Sequence, residues 1–595
     1  MARVTWTRNS EFLLSCVGYA VGLGNIWRFP SLCYKNGGGA FLVPYLFSLV
    51  FGAAPVLIME LGLGQYMSQG AVGVWKICPL FEGVGVATMV IMTYYNTYYM
   101  LILAWGGYYL VMSMQAVLPW THCNNQWNTV RCSISKEATI ASCLSKLNVS
   151  LDMYNSSRHQ CLVRNSTDLL PVDPTVEFWE RHVIQMSNGI EESGGIVWQI
   201  AVSLFIVWVI IYFCVWRGVK WSGKVVYFTA VFPYVVLLCL LVRGLTLDGA
   251  VDGITYFLIP NFERLGDVQV WIDGGTQIFF SLAVAFGGLI TLGSYKKFND
   301  NFYRDSIIII CINSGTSILG GFAVFSVLGF MAREQGVDIS DISTSGTALA
   351  FLTYPKAVSL MPGSSFWAVL FFFMLFLVGM DSLFLGVEVV VTMMVDALPE
   401  RYRKTWTRML LTAIYCLALF LVGLSMTTRG GIYIWILFDN FSASGMVLLW
   451  VCFWECIAIG WVFGADRFDD VLYMMLGFKI NRLLWICLKF ITPFLTTGLF
   501  ISQLASLRLG NLGSSYSYPP LAQAFGLMLS LSSMVCVPAV MVYKLLGTSG
   551  TLVERLKTLK TPIIEEGRIP DSWNSELRRF TKNSLNKKEE EHQML

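Results

Sequence analysis

An apolar segment near the start of the chain contains residues that suit an ion site better than a plain membrane-spanning helix. The stretch from Gly18 to Asn25 reads Gly-Tyr-Ala-Val-Gly-Leu-Gly-Asn, and Trp-Arg-Phe-Pro follows shortly after it. Three glycines and an asparagine favour an unwound turn, where free carbonyl oxygens can face a cation and free N–H groups can face an anion. Such backbone is tolerated at membrane depth only when it lines a cavity or is buried in protein. The stretch therefore predicts an ion and solute site in mid-membrane.

A second apolar segment carries a matching interruption. From Gln277 it reads Gln-Ile-Phe-Phe-Ser-Leu-Ala-Val-Ala-Phe-Gly-Gly, which puts small residues and the hydroxyl group of Ser281 in the middle of a span. Breaks in corresponding positions of two halves are typical of transporters built from inverted repeats. The two segments together predict a transport site between two broken helices.

Other polar residues lie inside apolar runs, where charge is costly and indicates function. Asp381 and Ser382 offer neighbouring oxygen ligands, and hard cations such as Na⁺ prefer oxygen. Further oxygens come from Asn25, Ser281, Asn313 and Ser317, and charged groups from Arg28, Asp439, Glu60, Glu388 and Glu455. Hydrogen bonding between helices is the alternative for any single Ser or Asn, but it does not account for the whole set beside two breaks.

These residues need a membrane-spanning scaffold, and the composition provides one. Of the 595 residues, 55% are hydrophobic and 13% are charged, about half the charged share of a soluble chain. We predict an all-α membrane protein with about twelve spans, because apolar runs of about 20 residues recur along the chain. The predicted spans are 11–33, 38–64, 82–113, 197–214, 224–243, 268–294, 303–331, 365–396, 406–423, 430–460, 484–504 and 521–545.

The loops orient the spans. The polar segment 114–195 holds three glycosylation sequons, so it is expected outside the cell. Both termini, 1–10 and 546–595, are then cytoplasmic, and the short inner loops carry the excess of Lys and Arg that this orientation requires. The first run is expected to be a retained span, not a cleaved leader, and the charged tail is expected to be mobile. Segment 332–363 is expected to form an outer loop with short helices that fold back towards the pore.

The outer segment also holds four cysteines. The sequons lie at Asn148, Asn155 and Asn165, and the cysteines are Cys123, Cys132, Cys143 and Cys161. Cysteines beside sequons imply an oxidising compartment. Cys123 and Cys132 are close in sequence and flank Trp127, which suits a local disulfide, whereas the pairing of the other two stays open.

Other classes of function find little support. The formal net charge is +3, which gives no argument for nucleic acid. The four histidines, at 122, 159, 182 and 592, all lie outside the spans, so a histidine metal site in the membrane is excluded. Gly218 to Val225 imitates a phosphate loop but lacks the final Ser or Thr that would bind Mg²⁺. We predict no enzyme; transport must draw on an ion gradient or be passive.

Three motifs resemble the neurotransmitter:sodium symporter family: Gly18 to Pro30, the run Asn-Gly-Gly-Gly-Ala-Phe from Asn36, and Thr-Gln-Ile-Phe-Phe-Ser from Thr276. The resemblance covers nearly all of residues 1–545. It implies the leucine-transporter fold, a 5+5 inverted repeat with helices 1 and 6 broken. It also implies uptake driven by Na⁺ and dependent on Cl⁻ as co-transported ions.

The resemblance also assigns residues. It implies a first sodium site of Ala20, Asn25, Ser281 and Asn313, and a second of Gly18, Val21, Val378, Asp381 and Ser382. It implies a chloride site of Tyr45, Gln277, Ser281 and Ser317, where a neutral residue at 317 leaves room for an anion. It implies an outer gate of Arg28 and Asp439 under the aromatic lid of Tyr99 and Phe280, and an inner gate of Arg3 and Asp396. The substrate pocket would comprise Tyr19, Gly22, Leu23, Gly24, Tyr99, Phe280, Ser281, Ala283, Phe286, Ser382 and Gly386.

Gly22 bears on the substrate. Monoamine carriers of the family have aspartate at this position, so a glycine implies a substrate that brings its own carboxylate. The outer loop from Leu118 resembles the GABA, taurine, betaine and creatine branch. Phe286 and Gly386 depart from the GABA pattern, the first narrowing the pocket and the second expected to open it.

We therefore predict a plasma-membrane Na⁺/Cl⁻ symporter of a small zwitterionic amino acid, GABA-like first. Glycine, proline, alanine, taurine and betaine remain alternatives. A channel or ligand sensor on a transporter scaffold, and a carrier that needs a partner subunit, are the rivals of another class. The sequence does not decide whether the chain forms a homo-oligomer.

Overall fold

The computed structural model describes residues 5–133, 172–341, 349–507, 516–564, 566–570 and 572–573. Within these ranges the chain is helical, and β-structure is limited to isolated bridges such as Gly38 with Pro260. Among the described residues, nine helical runs are long and apolar enough to cross a membrane, and two bent helix pairs raise the number to eleven. The broken sixth span completes the predicted set of about twelve, and the all-α class is confirmed.

The first six spans follow the predicted positions closely. Their helices are Asn9–Ala20 with Gly24–Arg28 and Phe29–Lys35; Leu42–Ser48 with Leu49–Ala53 and Ala54–Met67; Glu82–Ser113; Trp198–Val215; Val219–Leu245; and Val268–Ser281 with Gly288–Gly293.

The remaining six spans also follow the predicted positions closely. Their helices are Phe302–Gln335; Ser364–Ala397; Thr405–Leu424; Gly431–Phe441 with Gly445–Cys456 and Ile457–Gly464; Arg482–Ile486 with Cys487–Ile491 and Thr492–Ala505; and Pro520–Met534 with Cys536–Gly547. The tenth span is interrupted at Ser442 to Ser444, a break that is not predicted from the sequence, although the polar residues Asp439 and Asn440 lie just before it.

Shorter helices lie in the connections. They are Gly39–Phe41, Gly73–Ile77, Pro79–Phe81, Pro174–Glu177, Phe178–Val183, Ala250–Leu258, Phe262–Gly266, Ile339–Asp341, Leu349–Thr353, Tyr354–Ser359, Glu400–Tyr402, Ser425–Thr427, Ala465–Leu476, Leu552–Lys560 and Glu566–Arg568.

The outer loop before the eighth span folds back, as predicted. The ring of Phe351 lies 6.2 Å from that of Trp27 in the first span and stacks at 5.0 Å on Trp179 of the large outer segment. Aromatic contacts of this kind add about 0.5–1.5 kcal/mol beyond the buried area. The loop therefore covers the end of the first span that is predicted to face outside.

The beginning of the C-terminal tail packs against the helical domain, so the expectation of a mobile tail is wrong for this part. Ile563 N–H donates to the Lys76 carbonyl at 2.9 Å, and Arg568 Nη1 donates to the Tyr66 carbonyl at 2.5 Å. The Trp573 side chain is buried. Ile563, Arg568 and Trp573 make these contacts within a segment whose overall composition is charged, so composition alone does not predict that this part packs.

The two breaks lie at the centre of this scaffold. The long helices of the third and eighth spans pack along each other, and the helix of the eighth span also packs along the first and fifth spans. Each break is therefore surrounded by continuous helices that satisfy their own backbone groups.

Candidate functional site

The first break separates two half-helices with different geometry. The inner half ends at Ala20, and Val21 is extended, with φ −89° and ψ 91°. The outer half begins at Gly24 as a π-helical turn. Between them, Gly22 N–H donates to Asn25 Oδ1 at 3.1 Å and Leu23 N–H donates to the Tyr99 hydroxyl at 3.0 Å. Side chains thus replace the missing helical hydrogen bonds.

The sixth span is interrupted between Leu282 and Gly287. Ala283 and Ala285 have φ of 52° and 64°, in the left-handed region that costs L-residues roughly 1–2 kcal/mol each. Gly287, with φ 72°, enters the same region without that cost. Ala285 N–H donates to the buried Glu60 Oε1 at 2.9 Å. The break is therefore held by a carboxyl group of the second span.

The predicted first sodium site is brought together. The Asn25 amide nitrogen lies 2.9 Å from Ser281 Oγ, 2.8 Å from Asn313 Oδ1 and 2.9 Å from Ser317 Oγ. The terminal amide of Asn313 lies 3.1 Å from the Ala20 carbonyl oxygen and 3.3 Å from that of Ser281. If the side-chain oxygen of Asn313 faces the carbonyl oxygens of Ala20 and Ser281, the three acceptors form a cluster whose negative charge a cation would compensate. If the amide is rotated, its N–H group donates to the two carbonyl oxygens instead.

The predicted second sodium site centres on Asp381. This carboxylate is buried, and its Oδ1 atom has no hydrogen-bond partner. Ser382 Oγ donates to the Gly18 carbonyl at 3.3 Å. A small cavity beside this carboxylate is lined by Val17, Gly18, Val21, Ile26, Thr229, Ala230, Pro233, Tyr234, Leu237, Thr316, Val378 and Asp381. An unpartnered buried carboxylate oxygen beside backbone carbonyls fits a hard cation.

The four predicted chloride residues surround the outer half of the first break. Gln277 Nε2 donates to the Gly24 carbonyl at 2.8 Å, and Tyr45 OH lies 3.5 Å from Ser314 Oγ. Ser281 and Ser317 both contact Asn25. All four are buried and neutral, so an anion here would meet hydroxyl and amide donors without a competing carboxylate.

A second, small cavity lies between the breaks. It is lined by Tyr19, Ala20, Gly22, Gly24, Tyr95, Tyr99, Phe280, Ser281, Ala283, Phe286 and Ser382. A Cβ atom on Gly22 would lie 2.7 Å from Ser382 Oγ and 3.1 Å from the Tyr99 hydroxyl. A side chain at this position would have to displace the Ser382 hydroxyl group, and no acidic or basic side chain lines the cavity among the described residues.

Two predicted pocket residues lie elsewhere, and one pocket residue was missed. A Cβ atom on Gly386 would meet Asn96 Oδ1 at 2.5 Å, so Gly386 packs against the third span and does not open the pocket, contrary to prediction. Leu23 contributes its N–H group, not its side chain. The ring of Tyr95, which is not predicted, lies tilted against that of Tyr99 at 4.7 Å and meets that of Phe286 edge-on at 5.4 Å. Its position one helical turn before Tyr99 is the signal that could have identified it.

The predicted outer gate is close but not in contact. The Arg28 guanidinium lies 4.5 Å from the centre of the Phe280 ring, and the described residues include no ion pair within 4.0 Å between Arg28 and Asp439. At the inner side, Asp396 Oδ2 accepts from Gly70 N–H at 3.2 Å. Arg3, its predicted partner, lies outside the described residues.

The outer segment contains the predicted disulfide between Cys123 and Cys132. The three sequon residues Asn148, Asn155 and Asn165 lie outside the described residues, as do Cys143 and Cys161. The described residues contain no cluster of three or more His, Cys, Asp or Glu that could hold a metal ion, so the candidate cation sites depend on neutral oxygens and single carboxylates.

Comparison with known proteins decides the family. The model of the sodium:neurotransmitter symporter family matches residues 3–548. The chain belongs to this family. Its members are transporters and not enzymes, and the broken first and sixth spans are those of the leucine-transporter fold.

Similar curated proteins agree. The chain is 49% identical to the sodium- and chloride-dependent creatine transporter 1 of Mus musculus over 562 residues, 94% of this chain and 86% of that protein. It is 49% identical to the sodium- and chloride-dependent taurine transporter of Bos taurus over 572 residues, 96% and 88% of the two chains. The Torpedo marmorata creatine transporter is 47% identical over 569 residues. Na⁺ and Cl⁻ as the coupled ions are confirmed at the level of this family; the GABA-like substrate is not tested by these matches.

Proposed function

We propose that this symporter takes up a small zwitterion with an acidic group at one end and a cationic group at the other, GABA or taurine in size. The observation that carries the proposal is the close packing of Gly22 against Ser382 and Tyr99. Because Gly22 has no side chain, Ser382 packs closely against it and no acid lines the cavity, the substrate's own carboxylate or sulfonate can approach the backbone of the first break. The Tyr99 hydroxyl, which already accepts from Leu23 N–H, is free to donate its proton to that group.

The cationic end of the substrate faces the opposite, aromatic side. Tyr95, Phe280 and Phe286 lie within 5.4–6.2 Å of one another and line the cavity. Aromatic faces attract an ammonium or guanidinium group, most strongly where water is excluded. The three rings also shorten the cavity, which favours a substrate with a short spacer. Creatine, the substrate named for several relatives, is the bulkier competitor.

The ions occupy the oxygen clusters on either side. We assign one Na⁺ to the group of Ala20, Asn25, Ser281 and Asn313, and the other to Asp381 and Ser382 with the carbonyl groups of Gly18, Val21 and Val378. Chloride is assigned to Tyr45, Gln277, Ser281 and Ser317. Ser281 belongs to a sodium set and the chloride set, so both ions and the substrate meet at the C-terminal end of one half-helix. Na⁺ compensates the free carbonyl groups and the negative end of the helix dipole, and Cl⁻ offsets part of the added positive charge.

Transport follows from these contacts. Na⁺ at Asp381 joins the first and eighth spans, and substrate in the cavity then draws Phe280 and Tyr99 over it. The outer gate closes as Arg28 moves from the Phe280 ring to Asp439, and release follows opening at the Asp396 side. We place the protein in the plasma membrane with both termini in the cytoplasm and the loop 114–195 outside.

Labelled uptake in expressing cells tests the proposal. GABA, taurine, creatine, glycine and proline are compared, each with Na⁺ replaced and with Cl⁻ replaced. GABA or taurine uptake that is lost in both replacements supports the proposal. Preferred uptake of creatine would show that the aromatic rings admit a longer substrate, and uptake of glycine alone would show that the cavity closes on an α-amino acid. Currents far exceeding the measured solute flux would indicate a channel.

A further inference from the structure

Two buried carboxyl groups lie behind the sixth break, outside the ion and substrate sites. Glu60 belongs to the second span and Glu455 to the tenth, and both are fully buried, with 0% of their surface exposed. Their carboxyl groups are within hydrogen-bonding reach of each other. Glu60 Oε2 and both oxygens of Glu455 have no hydrogen-bond partner. Two acceptor-only groups in contact leave three oxygens unsatisfied in the interior.

The surroundings provide no charge to compensate them. The titratable groups that face the pair are Tyr19 of the first span and Cys452 and Cys456 of the tenth, all neutral acids. Within the described ranges, neither carboxyl group forms an ion pair, although buried Glu388 pairs with Arg408 at 2.5 Å. Carboxylates that share a dry site cannot both ionise, because like charges repel and burial disfavours each.

We propose that Glu60 and Glu455 bind one proton between them, and that this proton is a resident part of the transporter. It is held as an O–H···O⁻ hydrogen bond, which is short and strong when one partner is charged. The proton satisfies oxygens of both residues at once. It also leaves Glu60 Oε1 as the acceptor for Ala285 N–H at 2.9 Å.

The bound proton has a structural consequence for the transport site. Ala285 has φ 64°, a conformation that an alanine keeps only when its surroundings hold it. The hydrogen bond from Ala285 N–H to Glu60 stabilises this conformation, and Glu455 holds the Glu60 carboxyl group in place through the shared proton. The second span, the tenth span and the break of the sixth are thereby joined beside Phe286, which lines the substrate cavity.

Three variants separate this role from simple packing. Glu455→Gln keeps a permanent N–H donor for Glu60, and Glu60→Gln keeps an oxygen for Ala285 N–H and a donor for Glu455. Glu455→Met keeps the length of the side chain but leaves the Glu60 carboxylate alone. With surface biotinylation as the control for delivery, both Gln variants should retain uptake within about twofold, while Glu455→Met should lose about tenfold or more. Wild-type uptake in Glu455→Met would overturn the role of the proton.

Infrared spectra of the purified wild type and of each variant, compared as difference spectra, detect the proton directly and need no substrate. The wild type should show the carbonyl stretch of a protonated carboxylic acid, and this band should be missing from Glu455→Gln and from Glu60→Gln. Identical spectra would show that both groups are ionised and solvated by water, and would overturn the proposal even if the proposed substrate is correct. Cytosolic acidification in proportion to uptake, lost in Glu455→Gln, would show that the proton is transported and not resident.

Discussion

The carboxylate of Asp381 lies 3.0 Å from the point at which a Cβ atom on Gly18 would stand. The first and eighth spans approach this closely because the residue at 18 has no side chain. The same approach places the unpartnered Oδ1 atom of Asp381 in a cavity beside the carbonyl groups of the first break. The space required by one methyl group therefore decides whether the proposed second sodium site exists.

Gly18→Ala should abolish most sodium-driven uptake. The added methyl group pushes the Asp381 carboxylate away from its cavity, and overpacking of this kind costs about 1–3 kcal/mol, which is about one to two factors of ten in an equilibrium. The measurement is uptake against Na⁺ concentration in cells with matched surface expression. Gly498→Ala is the control, because a Cβ atom there meets nothing within 4 Å. An unchanged Na⁺ dependence in Gly18→Ala would remove Asp381 from the sodium site.

Tyr95→Ala should change which substrate is preferred. Removing this ring deletes the contacts with Tyr99 and Phe286 and lengthens the cavity. We expect the KM for GABA or taurine to rise about tenfold, as the loss of a buried aromatic contact and a cation–π partner predicts, and creatine uptake to increase. Tyr95→Phe is the matched control, since it keeps the ring. Equal selectivity in both variants would show that Tyr95 does not set substrate length.

The two breaks could be predicted from the sequence because their residues conflict with their surroundings. Glycines, Asn25 and Ser281 in the middle of apolar runs have few explanations other than an unwound turn. The convergence of Ala20, Asn25, Ser281 and Asn313 came from family resemblance, and the structure brings these residues together. Spacing alone would not have paired residues nearly 300 positions apart.

The errors arise where several residues of one type compete for one role. The third span contains Tyr94, Tyr95, Tyr98 and Tyr99 on several faces of one helix, so their positions alone do not show which rings reach the cavity. Gly386 was read as open space, but whether a missing side chain creates a cavity or a close helix contact depends on the partner helix. Asn96 fills that space.

His182 should make the outer segment sensitive to acid. Its ring stacks on Trp127 at 3.9 Å, Nε2 lies 2.8 Å from the Tyr108 hydroxyl, and burial lowers the pKa of the imidazole below 6.5. The neutral form is thus favoured in the folded state. Its stabilising contribution is complete above about pH 6.5 and is lost as the pH falls towards the folded pKa, because the unfolded chain takes up the proton first.

Thermal unfolding of the purified protein at about pH 7.5 and about pH 5.5 measures this effect, with His182→Gln for comparison. The wild type should lose about 1 °C or more of Tm beyond the loss in the variant. Glu180, whose carboxyl pKa is raised by burial, remains in both proteins, so its titration cancels. An equal acid shift in the two proteins would assign the sensitivity to other groups.

Asp273 should couple the outer halves of the two broken spans. It lies in the sixth span and is buried; its Oδ2 atom accepts from Lys35 Nζ and Asn36 Nδ2, both at 3.0 Å, and its Oδ1 accepts from Gln269 Nε2 at 2.7 Å. Lys35 and Asn36 stand at the outer end of the first span. A carboxylate with three donors holds the two half-helices in one geometry, so that they move together when the outer gate closes.

Asp273→Ala leaves Asn36 Nδ2 without this acceptor and should lower the maximal uptake rate about tenfold, since a hydrogen bond to a charged group contributes about 1.5–3 kcal/mol. Lys35→Met should lower it less than about twofold, because the Lys35 side chain is 54% exposed and such ion pairs contribute little. The maximal uptake rate of Asp273→Asn, which keeps an acceptor for Asn36, should lie between those of the other two variants. Uptake kinetics at matched surface expression distinguish the three variants. If Lys35→Met were as impaired as Asp273→Ala, the coupling would depend on the charge pair at the surface and not on the buried hydrogen bonds.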